Sequence, residues 1–397
     1  MPVAARRNAR LYLVGMTASF LGGSAMILAA GIWVKTLTGS SSLAALVSVC
    51  IYAPSMLGPL AGLLADRVRR QPLLVIINGA TATAMLLLLA VTSQDQLWLI
   101  YVVMTCYGAA LALIDPAEQA LFVVMLPTDE RQRVNGLRMS LQEGGKLVAP
   151  LAGAGLFSLF GGGAVAAVTA VTFVVAALSI ARLRVLEPPL PTPTGTWPRE
   201  VTAGFGYVWR QPALRTVTIS AALAMFASGV LVAAQFSLVD ALGRPPSFLG
   251  VITGALGAGS ILAGLTSARL VRRYGEVALL MLGLTDGVVG YLLTATGWLP
   301  TVLMGAFVLG FALPWSVIAL VNLGQRLTPI ELQGRVASAT GLLLFAPLPI
   351  AQLISAAAIT AVEYSALYLI VAGVGSVNLV WVYLATRMHH PQEPHDR

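Results

Sequence analysis

Apolar stretches recur along the whole chain, separated by short clusters of Gly, Pro, Ser or charge. They fall at 11–34, 43–65, 72–92, 97–126, 134–159, 164–183, 213–239, 247–270, 277–296, 299–325, 334–360 and 365–386. A helix needs about 20 apolar residues to cross a bilayer. The pattern therefore predicts twelve spanning helices. The first run, Leu11–Val34, exceeds the roughly 7–15 apolar residues of a signal peptide, and reads as a retained span.

Composition removes the competing classes. The chain is 57% hydrophobic and 10% charged, against about 25% charged for a soluble protein. A water-soluble enzyme, a disordered chain and a secreted disulfide scaffold are excluded. Cys50 and Cys106 sit in apolar runs without metal spacing, and His389, His390 and His395 all lie in the polar C-terminal tail. No metal site or cofactor is expected. HExxH, GxSxG and Gly-rich phosphate-loop patterns are lacking, which argues against an intramembrane enzyme and against ATP drive.

The net charge is +8, and its distribution is topological. With the N-terminus inside, 21 of the 24 basic residues fall in the N-terminus, tail and loops of one side. Lys35 and Arg244 fall on the other side, and Lys146 inside the fifth span. Cytoplasmic loops collect Lys and Arg, so both termini are expected in the cytoplasm. No basic run is interleaved with aromatics, and nucleic acid is not expected as a partner. Arginine outnumbers lysine 22 to 2, which suggests a GC-rich bacterial genome and a plasma-membrane protein.

The spans group into two halves. Residues 1–183 carry six, 184–212 form a linker, and 213–397 carry six more and a short polar tail. The linker opens with the Pro-rich stretch 187–195, and then places Val201, Phe205, Val208 and Trp209 at helical spacing, as for a short helix on the membrane surface. An offset of 202 residues superposes Gly62 on Gly264, Arg67 on Arg269, Arg70 on Arg272, Pro127 on Pro329 and Arg133 on Arg335. Such parallel repeats build six-plus-six transporters. The expected fold is an all-α polytopic membrane protein of twelve transmembrane helices, in two pseudo-symmetric six-helix bundles.

Three motifs carry chemistry. The loop after the second span contains Gly62, Asp66, Arg67 and Arg70. Its copy after the eighth span keeps Arg269 and Arg272 but has Ala268 in place of the acid. The fifth span contains Gly145, Pro150 and Gly153, small residues and a bend that permit close packing. Pro116-Ala117-Glu118-Gln119-Ala120-Leu121, then Pro127 and Asn135-Gly136-Leu137, form a third pattern.

The first motif resembles the loop signature of the major facilitator superfamily. The second is similar to the antiporter motif of its exporters, with Ala149 and Ala154 replacing two glycines. The third is similar to a branch containing macrolide exporters and enterobactin-type siderophore exporters. The resemblance implies alternating access, with the loop acid against the start of the eleventh span when the transporter opens outward. Asp66 is the expected latch. Thr328-Pro329-Ile330-Glu331 reads as a capping box ahead of Gly334 and Arg335. Many drug–proton antiporters carry an arginine in the fourth helix where Met104 stands here, so their proton route does not transfer.

Charges inside the membrane are costly and are functional hypotheses by default. With the hairpin of spans 4 and 5 turning at Glu130–Arg131, counting outward pairs Asp115 with Lys146 and Glu118 with Glu143. Glu118 and Glu143 are the expected proton carriers, with a structural ion network as the alternative. The second half is aromatic instead, and Phe20, Gln235, Trp315, Phe345 and Gln352 are candidate substrate-lining residues. Asp286 stands apart in the ninth span, where a structural role is expected. The expected activity is proton-coupled efflux of amphipathic organic compounds by a monomer in the bilayer. The alternative is a transporter of a specific metabolite or siderophore, without proton coupling.

Overall fold

The computed structural model describes residues 3–57, 68–185, 187, 197–329 and 332–389. Among them the structure is helical. We label the helices α1 (Val3–Thr38), α2 (Ser41–Tyr52), α3 (Arg70–Leu87), α4 (Leu97–Met125), α5 (Thr128–Ala181), α6 (Trp197–Arg210) and α7 (Pro212–Val230). They continue with α8 (Val232–Ala241), α9 (Leu249–Ala295), α10 (Leu299–Leu327), α11 (Gln333–Phe345), α12 (Leu348–Ala358) and α13 (Tyr364–His389).

Nine helical segments among the described residues are long and apolar enough to cross a membrane. Two of these, Arg133–Ala181 and Pro246–Ala295, run to 49 and 50 residues, twice the length one crossing needs. Each is two helices joined at a glycine, Gly161 with φ 77° in α5 and Gly275 with φ 83° in α9. A side chain is disfavoured in that left-handed region, so these two glycines set the breaks. Two other spans are interrupted, α7 from α8 at Leu231 and α11 from α12 at Ala346-Pro347. The two glycine breaks bring the nine segments to eleven passes, and the shorter apolar helix Ser41–Met56 makes a twelfth, as the apolar pattern predicts.

Close packing in the first half depends on small residues. A side-chain carbon at Gly153 would stand 2.7 Å from the Ala25 carbonyl oxygen, and one at Gly22 would overlap the Thr172 side chain. Gly108 meets the Ile51 carbonyl in the same way. Without a hydrophobic force between helices in lipid, such backbone approach is what holds a bundle together. Leu159, Val377 and Trp98 are 77%, 71% and 61% exposed. Apolar side chains on the outside are what a protein dissolved in lipid requires.

The chain forms two compact units. The first comprises Met1–Pro193, Gln235–Gly254 and Gln352–Thr360; the second comprises Thr194–Ala234, Ala255–Ala351 and Ala361–Arg397. The first unit thus includes two short segments from beyond residue 234. The second unit has its own core, built on Leu214, Val217, Leu280, Trp315, Leu323 and Val382.

Candidate functional site

The hairpin of α4 and α5 turns earlier than the residue count assumed. Helix α4 ends at Met125, and α5 begins at Thr128 with Pro127 as its N-cap. Residues 128–131, read as the loop, are already helix. The mirror relation therefore moves by about two turns, and a different residue faces the carboxylates.

That residue is Arg138. Its guanidinium interacts electrostatically with both Asp115 and Glu118. It lies 5.7 Å from the centroid of the Phe122 ring, which in turn packs 5.5 Å from the Tyr12 ring. Asp115 and Glu118 are three residues apart on α4 and share a face. Glu118 is 7% exposed, whereas Asp115 is open. The buried Tyr12 hydroxyl lies beside the Arg138 side chain. Among the described residues none of the three charged groups closes an ion pair. They act on one another across space rather than through fixed hydrogen bonds. Tyr107 completes the cluster: it is an electrostatic neighbour of Asp115, and its hydroxyl occupies the space beside Gly23 that a side chain would take.

The expected pairing of Asp115 with Lys146 and of Glu118 with Glu143 is thus corrected. Lys146 Nζ instead bonds Glu143 Oε1 at 2.6 Å, three residues away on the same helix. Both side chains of that pair are about half exposed. Counting outward from Glu130–Arg131 does not bring Arg138 opposite the carboxylates. Its position eleven residues into a helix that starts at Thr128 is the signal that would have found it.

The exporter-like motif is a packing device. Gly145 receives the Phe20 ring, 2.8 Å from where its side-chain carbon would be, and Gly153 receives the backbone of Ala25. Two turns apart, they let α1 lie against α5. On the other side Ala154 and Leu151 fill the space beside Gly250 and Gly254 of α9. Pro150 lies inside the helix.

Among the expected lining residues, Phe345 opens onto a cavity. It is 45% exposed and borders a space of about 190 Å³ together with Val321, Gln325, Gln333 and Thr340. Trp315 is buried in the second unit, donating its indole N–H to the Ala263 carbonyl at 3.0 Å. Gln352 is also buried, with its Oε1 unpartnered. Phe20 and Gln235 are half-buried, and Phe20 is spent on Gly145. Asp286 is half-buried in α9.

The latch residues Gly62, Asp66 and Arg67 lie outside the described residues, as does Glu331 of the expected capping box. Arg70 starts α3. Its backbone N–H donates to Glu187 Oε2 at 2.7 Å, and that of Gln71 donates to Oε1 at 2.8 Å. The helix that follows the motif loop is therefore capped by Glu187, the first residue of the Pro-rich stretch. Gly334 and Arg335, at the start of α11, are exposed.

Comparison with known proteins agrees with this architecture. The family model of the Major Facilitator Superfamily matches residues 11–236. The chain is 24% identical over 356 residues to macrolide efflux protein A of Streptococcus pyogenes, covering 86% of this chain and 87% of that one. It is 24% identical over 309 residues to the macrolide efflux protein A of Enterococcus faecalis, covering 75% and 94%. The nucleoside transporter NupG superposes with a TM-score of 0.73 at 14% identity, covering 96% of this chain and 99% of the other. A bacterial homologue of the iron transporter ferroportin gives 0.72 at 16%, covering 96% and 98%. At these identities the solved structures establish the fold alone, and the family match covers more than half of the sequence. The chain is a transporter that belongs to the Major Facilitator Superfamily.

Proposed function

We propose that the protein exports amphipathic organic cations in exchange for protons, by alternating access. The observation that carries this reading is the charge count of the cluster on α4 and α5. Two carboxyls, Asp115 and Glu118, face one guanidinium, Arg138. With both carboxyls ionised the cluster carries one negative charge too many. Uncompensated charge inside a membrane protein is costly, so the surplus is neutralised either by a proton or by a cationic substrate. One site that accepts either but not both is sufficient for antiport.

Similarity to two macrolide efflux proteins supports export and a bulky amphipathic substrate. The basic residues clustered on one side support a cytoplasmic placement of both termini in a bacterial plasma membrane. The half-exposed Glu143–Lys146 pair already balances itself, which leaves it outside the coupling step.

The test is reconstitution in liposomes with an inside-acid gradient, reading proton release on addition of a lipophilic cation, a macrolide or a siderophore. Substrate-dependent release that disappears with Glu118→Gln and persists with Glu143→Gln supports the assignment. Substrate movement without proton flux refutes coupling and makes the protein a facilitator.

A further inference from the structure

The second unit holds a cavity of about 30 Å³ that is separate from the charge cluster. Helices α7, α9, α10 and α13 surround it, with Ala224, Leu284, Gly287, Leu313, Ser316 and Asn378 in its wall. A side-chain carbon at Gly287 would meet the Ala312 methyl at 3.7 Å, an ordinary contact, so the space exists because a glycine stands there. Most of the wall is apolar, but one corner is not. Asn378 of α13 is 2% exposed, and its Nδ2 donates to the Ser220 carbonyl of α7 at 3.1 Å. Its Oδ1 has no hydrogen-bond partner, and neither has the fully buried Ser220 Oγ. Ser220 stands one turn before Ala224 on α7. Ser316 of α10 is also buried, and donates to the Ala312 carbonyl at 2.7 Å, which leaves its oxygen to accept.

Buried polar groups in native structures find partners, and inside a bilayer bulk water cannot supply them. Pro314, the internal proline of α10, lies between Leu313 and Ser316 of the wall. A proline leaves the carbonyl four residues earlier without its helical donor, and ordered waters are one means by which spanning helices tolerate that break. The register matches the other half of the chain. Helix α4 also has an internal proline, Pro116, and Glu118 stands two residues beyond it, as Ser316 stands beyond Pro314. Where the first half carries a carboxyl, the second carries a hydroxyl beside an amide, in a wall without charged residues.

We propose that this cavity is a water-binding site built into the second unit. A bound water takes up roughly 10–15 Å³ and needs about two to four polar partners, so the space suits about two. The Ser220 hydroxyl donates to them, and Asn378 Oδ1 and Ser316 Oγ accept from them. The wall has no carboxylate, so the ligand is neutral. Such waters join α13, α7 and α10 through bonds that can re-form in a new geometry, and α10 can bend at Pro314 without baring polar atoms. The inference goes beyond the transport reading and depends on neither the substrate nor the proton site.

The test is X-ray radiolysis of the full chain in lipid nanodiscs, which makes hydroxyl radicals from water where it is bound, with oxidised side chains read by mass spectrometry. Leu284 of the wall and Phe173 of the first unit are both nearly closed to the outside, at 5% and 1% exposure. Leu284 should be oxidised and Phe173 spared. Oxidation of Leu284 should be lost in Asn378→Leu, which removes the amide. It should fall in Gly287→Ala, which occupies the space without touching a polar atom, and in Ser220→Ala, which removes one partner. These two milder variants carry the test if Asn378→Leu does not fold. Leu284 as well protected as Phe173 in the native chain, or oxidised equally in all variants, overturns the water site.

Discussion

A side-chain carbon at Gly204 would stand 2.2 Å from the carbonyl oxygen of Arg335. The linker helix α6 therefore touches the backbone at the start of α11. Val208 of α6 is fully buried, and the Tyr207 hydroxyl donates to the Leu327 carbonyl at the end of α10. The amphipathic spacing predicts a helix at the membrane surface. The helix forms, and Gly204 and Val208 pack it into the second unit, to which it belongs, while Trp209 remains 54% exposed. The helix bridges the end of α10 and the start of α11, across the segment that the expected capping box occupies.

Gly204→Leu should push α6 away from α11. Overpacking of a fitted contact costs about 1–3 kcal/mol. The expected outcome is a lower thermal midpoint in detergent and faster proteolysis within the linker, with the helices of the first unit unaffected. Gly206→Ala, where no atom lies within 4 Å, is the matched control and should change neither.

Arg138→Gln should uncouple transport, because it leaves two facing carboxyls without their cation. Asp115→Asn added to it restores the original net charge of the cluster. If the charge count governs coupling, the double variant should recover part of the substrate-driven proton release that the single variant loses. The double-mutant cycle in proteoliposomes separates this from two independent losses.

Glu187→Ala should release the start of α3. A lost N-cap costs about 0.5–2 kcal/mol, and here one carboxylate serves two backbone donors, Arg70 and Gln71. Gln71 keeps a second tie, its Nε2 donating to the Ile180 carbonyl at 2.9 Å. Amide exchange at residues 70–72 should rise sharply, with exchange deeper in α3 unchanged.

Gly153→Leu should prevent the close approach of α1 and α5 and abolish folded expression, since the neighbour is the Ala25 backbone and cannot move aside. Gly155→Leu, two residues on, meets nothing within 4 Å. Its expression should match that of the native chain, as judged by the monodisperse fraction after detergent extraction.

The Glu143–Lys146 pair makes the contrast within α5. An exposed pair at this spacing contributes about 0.2–0.5 kcal/mol. Lys146→Met should leave both stability and proton release within error of the native chain. A loss of coupling would return that pair to the transport mechanism.

The sequence by itself determined the twelve passes, the class of protein and the two-fold repeat. The reason is that the bilayer is a thick apolar solvent that every span must satisfy with about 20 apolar residues, so each helix announces itself locally. The two tight breaks at Gly161 and Gly275 fall in the gaps that the apolar pattern leaves between 159 and 164 and between 270 and 277. Tertiary structure decided which charges meet. The turn between α4 and α5 lies at Pro127, and a shift of a few residues in a hairpin rotates and slides every partner by turns of helix. That is why Arg138, and not Lys146, faces Asp115 and Glu118. It also decided that Trp315 and Gln352 are packed inside while Phe345 is open, since a helix face has no label in an all-apolar stretch. The meeting of Lys35 with Asp240, 205 residues apart, follows from packing between distant helices, which no local pattern encodes.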